Sequence, residues 1–191
     1  MLIKDVIISV LRILGRNELA SAVADNATLT AEEKETVTTL LYCFNAVESE
    51  MAVNYLPLTE KKELESATGK YFLFLLDHTP TRIIRVTAGG KEVDYELFPE
   101  FIITESKAVV IEYEYAPAKK TINDSSEYGK NIGERAFACG VAAEYCLING
   151  ETDAADLWEA KYRKAVDKIQ AEAAQSGKKT TGGYIPPRRW V

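Results

Sequence analysis

Reactive side chains are scarce in this sequence. Its 191 residues include a single histidine, His78, and three cysteines, none of them in a CxxC motif. A triad or dyad that uses histidine would have to be built on His78, which precedes Thr79-Pro80 and is interpreted as a loop residue. No phosphate-binding glycine motif is present, because Gly89-Gly90 lies between alternating segments and is interpreted as a hairpin turn. The sequence therefore predicts a protein that is not an enzyme and holds neither a cofactor nor a metal ion.

Long apolar runs are also absent. The most apolar stretch, residues 136–148, has 13 residues and contains Glu144, whereas a membrane-spanning helix takes about 20. The apolar start of the chain is interrupted by Asp5 and Arg12, and no small-residue cleavage site follows it. We therefore expect neither a membrane span nor a secretory signal.

The cysteines Cys43, Cys139 and Cys146 are odd in number. On one helix the last two would lie about 10 Å apart at a rise of about 1.5 Å per residue, which is too far for a disulfide. Their predicted role is that of small buried hydrophobic residues, which suits a reducing cytoplasm.

Negative charge is unevenly distributed along the chain. The formal charge is −6, but residues 176–191 contain four basic side chains and no acidic one, so the rest of the chain carries −10. An acidic surface repels nucleic acid, whose non-specific binding depends on Lys and Arg contacts to phosphates. Nucleic-acid binding through a broad patch is therefore not expected.

Helical periodicity occupies the first part of the chain. Apolar residues repeat at helical spacing over Ile3–Leu14 and stop at a glycine, and residues 17–26 can add another helical turn or two. A longer helix begins at a capping box formed by Thr30 and Glu33 and ends before Pro57.

Helices return near the C-terminus. One is predicted from about Gly133 to Ile148 and a second from a cap at Thr152, and the short connection between them predicts an antiparallel hairpin. The first is rich in Ala, Gly and Cys, which predicts close packing either as a central core helix or against other copies of the chain. The second carries one stripe formed by Ala155, Trp158, Tyr162, Ala165 and Ile169.

Between these helical regions the hydrophobic period changes to alternation. Gly89-Gly90 predicts a two-residue hairpin, and a second pair of strands is predicted to turn near Ser106 and Lys107. Five or six short strands predict a small antiparallel sheet, sandwich or barrel. The predicted strand segments are residues 61–66, 70–77, 81–98 and 101–117.

Together these segments predict an α+β fold. N-terminal helices of residues 1–57 and a C-terminal helical hairpin of residues 118–175 form a helical bundle. A small antiparallel β-sheet or barrel module of residues 58–117 is inserted into it. Residues 176–191 form a predicted extended C-terminal arm.

The arm is the predicted partner-binding site. Gly182-Gly183 loosen the backbone, and Pro186-Pro187 impose an extended path that no helix can continue. Aromatic residues and arginine are enriched at interface anchors, which favours docking of the arm on a partner. The alternative interpretation is that the arm is a disordered chain end. The predicted docking residues are Tyr184, Ile185, Pro186, Pro187, Arg188, Arg189, Trp190 and Val191.

Three glutamates are candidates for chemistry. Glu112 and Glu114 lie two apart on a strand and so about 7 Å apart on one face. That spacing suits acid/base or metal chemistry. The alternative is that both glutamates face water while their neighbours on the strand face the core. Glu144 lies on a helix that is apolar on nearly every side, so its carboxylate could be buried with a raised pKa, lie at a bundle rim or pair with a neighbouring subunit.

The segment "AAEYCLINGETDAADLWEAKYRKAVDKIQAEA" resembles the C-terminal helical hairpin of head-to-tail connector (adaptor) proteins of tailed bacteriophages, the tail tubular protein A type. The likeness covers about sixty residues and includes a basic, proline-containing end, and the order helix, β insert, helix gives it wider support. It consists of the Ala/Gly-rich first helix that ends in "YCLINGE" and the aromatic pair Trp158 and Tyr162.

The resemblance implies a structural role in a virion without catalysis. Such proteins form a ring of about twelve copies around the DNA channel, between the portal protein and a downstream tail protein. DNA passes through without specific binding, and the C-terminal arm docks on the portal. The resemblance also implies synthesis in the bacterial host cytoplasm and a location at the capsid-tail junction of the virion. The alternative is a small-molecule or peptide-binding module that uses the β insert.

Overall fold

The computed structural model describes residues 1–128 and 132–176, with side chains described through Glu172. These residues form five α-helices and seven strands in two antiparallel sheets, which confirms the predicted α+β fold. The docking residues Tyr184 to Val191 and the rest of the predicted arm beyond Ser176 lie outside the described residues.

The chain divides into two compact units. The helical unit comprises Met1–Glu50 and the described residues from Lys119 onward, and the β unit comprises Met51–Ala118. The sequence predicted the inserted segment as residues 58–117; the compact β unit also includes a π-helical turn at Met51–Tyr55.

The helical unit contains α1 (Ile3–Ile13), α2 (Asn17–Ala24), α3 (Ala31–Glu50), α4 (Glu134–Ile148) and α5 (Thr152–Ser176). The predicted capping box before α3 is present. The Thr30 backbone N–H donates to the Glu33 carboxylate at 2.7 Å, and the Glu33 N–H donates to the Thr30 hydroxyl at 3.3 Å. At the second predicted cap, Thr152 is itself the first residue of α5.

Helix α4 is the centre of the helical unit. Ten of its 15 residues are buried, and it packs against α1, α3 and α5. A Cβ added at Gly140 would lie 3.0 Å from side-chain atoms of Val47 and Tyr162, so only glycine allows α3 and α5 this close. Helices of the same chain therefore account for the burial of α4, as in the interpretation of a central core helix.

Helix α5 covers one side of α4 with the predicted stripe. Ala155 and Tyr162 are buried, and Trp158, Ala165 and Ile169 are half-buried. Val166 is also buried against the unit, as expected for a residue four positions after Tyr162 on one helical face.

The β unit contains β1 (Leu58–Glu65), β2 (Lys70–Phe72), β3 (Pro80–Ala88), β4 (Lys91–Glu92), β5 (Glu96–Leu97), β6 (Phe101–Ile103) and β7 (Ala108–Tyr115). A 3-10 turn at Leu73–Leu75 follows β2. The four-stranded sheet has the order β1-β7-β3-β4, and the three-stranded sheet has the order β2-β6-β5.

One predicted hairpin is confirmed and the other is wrong. Gly89 and Gly90 join β3 to β4 with φ of 56° and 79°, as a type I′ turn requires. Strands β6 and β7 do not pair across Ser106 and Lys107, because β6 lies between β2 and β5 while β7 lies between β1 and β3. The intervening backbone bonds elsewhere: the Thr104 N–H donates to the Gly69 carbonyl at 3.0 Å.

The two sheets share one hydrophobic core. The three-stranded sheet contributes Tyr71 and Ile102, which are opposite each other in register. The four-stranded sheet contributes Val86 of β3 and alternate residues of β7, as the period of two predicts for β7. The buried members are Tyr71, Leu76, Val86, Ile102, Val109, Ile111 and Tyr113.

Candidate interaction surface

The two strand glutamates are held in cross-strand ion pairs. Glu112 lies 2.6 Å from the Arg85 guanidinium and 3.6 Å from the Lys61 ammonium, and Glu114 lies 3.8 Å from Arg82. Ile111 and Tyr113 on the other face of β7 are buried in the core. This is the arrangement of a solvated charge ladder on a sheet, and each carboxylate already has a cationic partner.

Glu144 is only half-buried at its position on α4. Its carboxylate lies near the Cys43 thiol, whose pKa is raised to about 12 mainly by burial and further by the charge of Glu144. Cys43, Cys139 and Cys146 are all buried free thiols, as predicted. Burial also raises the pKa of Cys139 and Cys146, so the reactive thiolate form is disfavoured at all three positions.

The single histidine belongs to a small polar cluster in the β unit. The Nε2 atom of His78 lies 3.6 Å from Glu60 Oε2, and the imidazole stacks on the Tyr115 ring with centroids 4.2 Å apart. The Tyr113 hydroxyl donates to the same glutamate at 2.8 Å. Burial, followed by this hydrogen bond to Glu60, raises the pKa of Tyr113 to about 12, so the phenol stays neutral and serves as a donor.

Metal-binding clusters and membrane-spanning helices are both absent from the described residues. In residues 1–128 and 132–176, no group of three or more His, Cys, Asp or Glu side chains is arranged to hold a metal ion. Within the same ranges, no helix has the length and apolar character needed to cross a bilayer.

A phenylalanine surface lies on the face of the three-stranded sheet opposite the core. Tyr71 and Ile102 face inward, so the strand alternation turns Phe72 and Phe101 outward as a cross-strand pair with ring centroids 6.0 Å apart. Phe74 lies 5.2 Å from Phe72, and Phe98 stacks on Phe101 at 4.7 Å. We call Phe72, Phe74, Phe98 and Phe101 the phenylalanine surface.

This surface is open to solvent to an unusual extent. Phe74 is 76% exposed and Phe98 is 37% exposed, and Leu97 beside them is 57% exposed. Four of the chain's six phenylalanines are placed here, while Phe44 and Phe137 stack in the core of the helical unit. Contiguous exposed apolar residues on a small protein mark an interaction site.

Lys70 is the one cation within contact distance of these rings among the described residues. Its ammonium lies 3.7 Å from the Phe101 ring centroid and 4.8 Å from that of Phe72. A cation over an aromatic face is attracted by the ring quadrupole. The phenylalanine surface therefore already holds one basic side chain in a favourable geometry.

An acidic depression of about 800 Å³ adjoins the phenylalanine surface. Its lining includes Ile103, which lies two residues from Phe101 on the same face of β6 and so connects the two features. No lysine, arginine or histidine lines it. Its four carboxylates are Glu92, Asp94, Glu96 and Glu105, and they are exposed.

These carboxylates have no counter-ion in the described part of the chain. None of the ion pairs formed there includes any of the four. The local sequence explains why three of these carboxylates face outward. Val93 and Tyr95 pack toward the core, so Glu92, Asp94 and Glu96, which alternate with them, face solvent. The β unit as a whole has 11 acidic and 7 basic residues.

Sequence reasoning missed both features. The sequence pattern of "KYF" and "EVDYE" indicates strands but does not assign an inner and an outer face. Two signals could have indicated the surface: the run "YFLFLL" has more large apolar residues than one face of a short strand can bury, and "EVDYE" alternates acids with apolar residues. The structure thus places the candidate surface in the β unit, whereas the predicted docking residues of the arm lie outside the described residues.

In comparisons with known proteins, no protein-family model matches this chain, and no curated protein is detectably similar to it in sequence.

Proposed function

We propose that the protein is a non-catalytic structural assembly protein, a head-to-tail connector of a phage particle. In this proposal copies of the chain form a ring between the portal and a downstream tail protein, around the DNA channel at the capsid-tail junction. The C-terminal arm, Tyr184 to Val191, docks on the portal. The resemblance of the α4–α5 hairpin is the basis for proposing a connector. The phenylalanine surface supports only the broader proposal of an assembly protein.

The observation that carries the assembly role is the phenylalanine surface. A cluster of four aromatic rings, of which Phe74 and Phe98 are exposed and Phe72 and Phe101 half-buried, is costly in water and is typical of contact sites between proteins. The two candidate acid/base residues also favour a non-catalytic role, because Glu112 and Glu114 are both held in ion pairs. The overall charge of −6 suits a protein that borders a DNA channel without binding the DNA.

The test is assembly with a purified portal protein encoded in the same genome. Native mass measurement of the mixture should detect a discrete multi-copy complex with the full chain. Deletion of Tyr184 to Val191 should abolish the complex and leave the melting temperature unchanged, since the deleted residues lie beyond α5. A matched control replaces the same eight positions with Gly and Ser, so that length is kept while the aromatic and basic groups are lost.

Two results would contradict this proposal. One is unaltered complex formation by both arm variants, which would remove the arm from the docking role. The other is turnover of a substrate by the purified protein, abolished by a single substitution in the His78, Glu60 and Tyr113 cluster.

A second candidate function is a peptide-binding module that uses the β unit. The adjoining phenylalanine surface and acidic depression favour it, because grooves lined by aromatic residues recognise extended, proline-containing peptides. Stoichiometry separates the two candidates: a connector forms a multi-copy ring with the portal, whereas a simple module binds one peptide per chain.

A further inference from the structure

We propose that the phenylalanine surface and the acidic depression of one copy bind the C-terminal segment, residues 177–191, of a second copy. The inference rests on the proposed function in one respect, namely that copies of this chain associate in a ring. It adds the contact that copies make with one another when no portal is present, and the chemistry of that contact; once the portal is present, the same segment docks there instead.

Charge complementarity is the first argument. The depression presents Glu92, Asp94, Glu96 and Glu105, which have no cationic partner among the described residues. The C-terminal segment contains Lys178, Lys179, Arg188 and Arg189 and no acidic residue. Opposite charges at this density steer association and set its register.

Aromatic and proline chemistry is the second argument. The segment contains "YIPPRRWV", and proline-containing peptides dock on aromatic-lined surfaces because their backbone is restrained before binding. Arginine also stacks on aromatic faces. Lys70 already shows the position of a cation over Phe101, and the exposed Phe74 and Phe98 rings offer further faces for Arg188 or Arg189.

Length is the third argument. Eight residues in a polyproline conformation span about 25 Å at about 3.1 Å per residue. The acidic depression lies at the end of the strands where Glu96 of β5 is opposite Ile103 of β6, two residues along β6 from Phe101 and so about 7 Å away. A segment of this length therefore covers both features. Arg188, Arg189 and Trp190 then lie on the phenylalanine surface, and Lys178 and Lys179, at the other end of the fifteen-residue segment, meet the carboxylates.

Two different surfaces meet in such a contact, so it is heterologous. Each copy offers a segment to one neighbour and a binding surface to another, which is the geometry that generates rings. An intramolecular contact would use up both surfaces and leave no association between copies. The number of copies that associate therefore distinguishes the proposal from binding within one chain.

The experiment measures self-association of the full chain by sedimentation equilibrium, with no portal present. Wild type should associate at about 0.1 M salt and dissociate as salt approaches about 1 M, where the screening length falls to about 3 Å. Three variants should each weaken association by about tenfold or more: Phe74→Ser, the double Asp94→Lys/Glu96→Lys, and the double Arg188→Glu/Arg189→Glu. The first two alter exposed side chains, so the fold should be kept.

The matched control is the double variant Glu63→Lys/Glu65→Lys. It makes the same change of charge at two exposed positions of β1, outside the acidic depression, and should associate like wild type. A second control, Tyr42→Ser, removes an exposed aromatic ring from the helical unit and should also have no effect.

A mixing experiment sharpens the test. The Phe74→Ser variant keeps a working segment and an acidic surface that repels a reversed segment, and the Arg188→Glu/Arg189→Glu variant keeps a working surface. Together they should form a 1:1 pair and nothing larger, because each chain has only one functional half.

The proposal is overturned if wild type stays monomeric, if Glu63→Lys/Glu65→Lys weakens association as much as the variants in the depression, or if the mixture forms no pair. A monomer in which the Asp94→Lys/Glu96→Lys change alters Trp190 fluorescence would indicate binding within one chain and would also overturn it. Any of these results leaves ring formation with the portal as a separate question, so failure here and failure of the connector function are distinguishable.

Discussion

Glu48 is a fully buried carboxylate with incomplete hydrogen bonding. One oxygen accepts from the Ser126 hydroxyl at 2.7 Å and from the Glu127 backbone N–H at 3.0 Å. The other oxygen has no hydrogen-bond partner among the described residues. Burial raises the pKa of Glu48, and the hydrogen bond from Ser126, followed by the charge of nearby Lys120, opposes the rise.

The substitution Glu48→Gln tests this interpretation. Because the pKa of Glu48 is higher in the folded than in the unfolded state, protonation favours folding, and this stability is lost as pH rises above the usual value of 4.5. The glutamine variant lacks that titration. We therefore expect the stability of wild type to fall relative to the variant with increasing pH, as measured by urea unfolding at a series of pH values.

The control for this prediction is Glu35→Gln, an exposed glutamate on the same helix. Its unfolding free energy should follow that of wild type at every pH. Parallel pH curves for wild type and Glu48→Gln would mean that Glu48 titrates alike in both states, and the account of its burial would be wrong.

At the scale of single elements, the capping box gives a prediction for α3. Thr30→Ala removes the side-chain acceptor of the Glu33 N–H, and loss of an N-cap costs about 1 kcal/mol. Urea unfolding should show this loss in the helical unit. The control is Thr38→Ala, an exposed residue that donates only to the Lys34 carbonyl of its own helix. It should be neutral or slightly stabilising, and an equal loss at both positions would contradict the cap.

Elements whose signals are local were predictable from the sequence. Helix α1 follows from apolar spacing with a glycine stop, and α3 follows from its cap, because both depend on neighbours within a few residues. Strand β7 was also found by its alternation. Its partners were not, because alternation determines which face is buried and not which strand lies alongside.

The candidate surface depends on that missing information. Whether Phe72 or Tyr71 faces the core is decided by the pairing of β2 with β6, which places Tyr71 opposite Ile102. Glu48 was missed for the same reason, since its partner Ser126 lies 78 residues away in sequence. Helix periodicity gave no signal for a bond of that kind.

At the scale of the whole molecule, the two compact units have separate hydrophobic cores, and one glycine in each allows a close approach. Gly69 has φ of +71°, and a Cβ there would lie 2.1 Å from the Thr104 carbonyl oxygen of the β unit. Gly140 provides the corresponding space between helices. We expect Gly69→Ala to destabilise the β unit by about 2 kcal/mol and Gly140→Val to destabilise the helical unit by about 1–3 kcal/mol.

Hydrogen exchange followed by mass spectrometry measures the two units separately. Gly140→Val should accelerate exchange in α3 and α4 and leave β7 unchanged, whereas Gly69→Ala should do the reverse, because units with their own cores open independently. Gly133→Ala is the control, since it has an ordinary negative φ and no atom within 4 Å of the added Cβ. Faster exchange in both units from either core variant would show that the molecule unfolds as one cooperative body, so that a variant in the β unit could no longer be assigned to its surface alone.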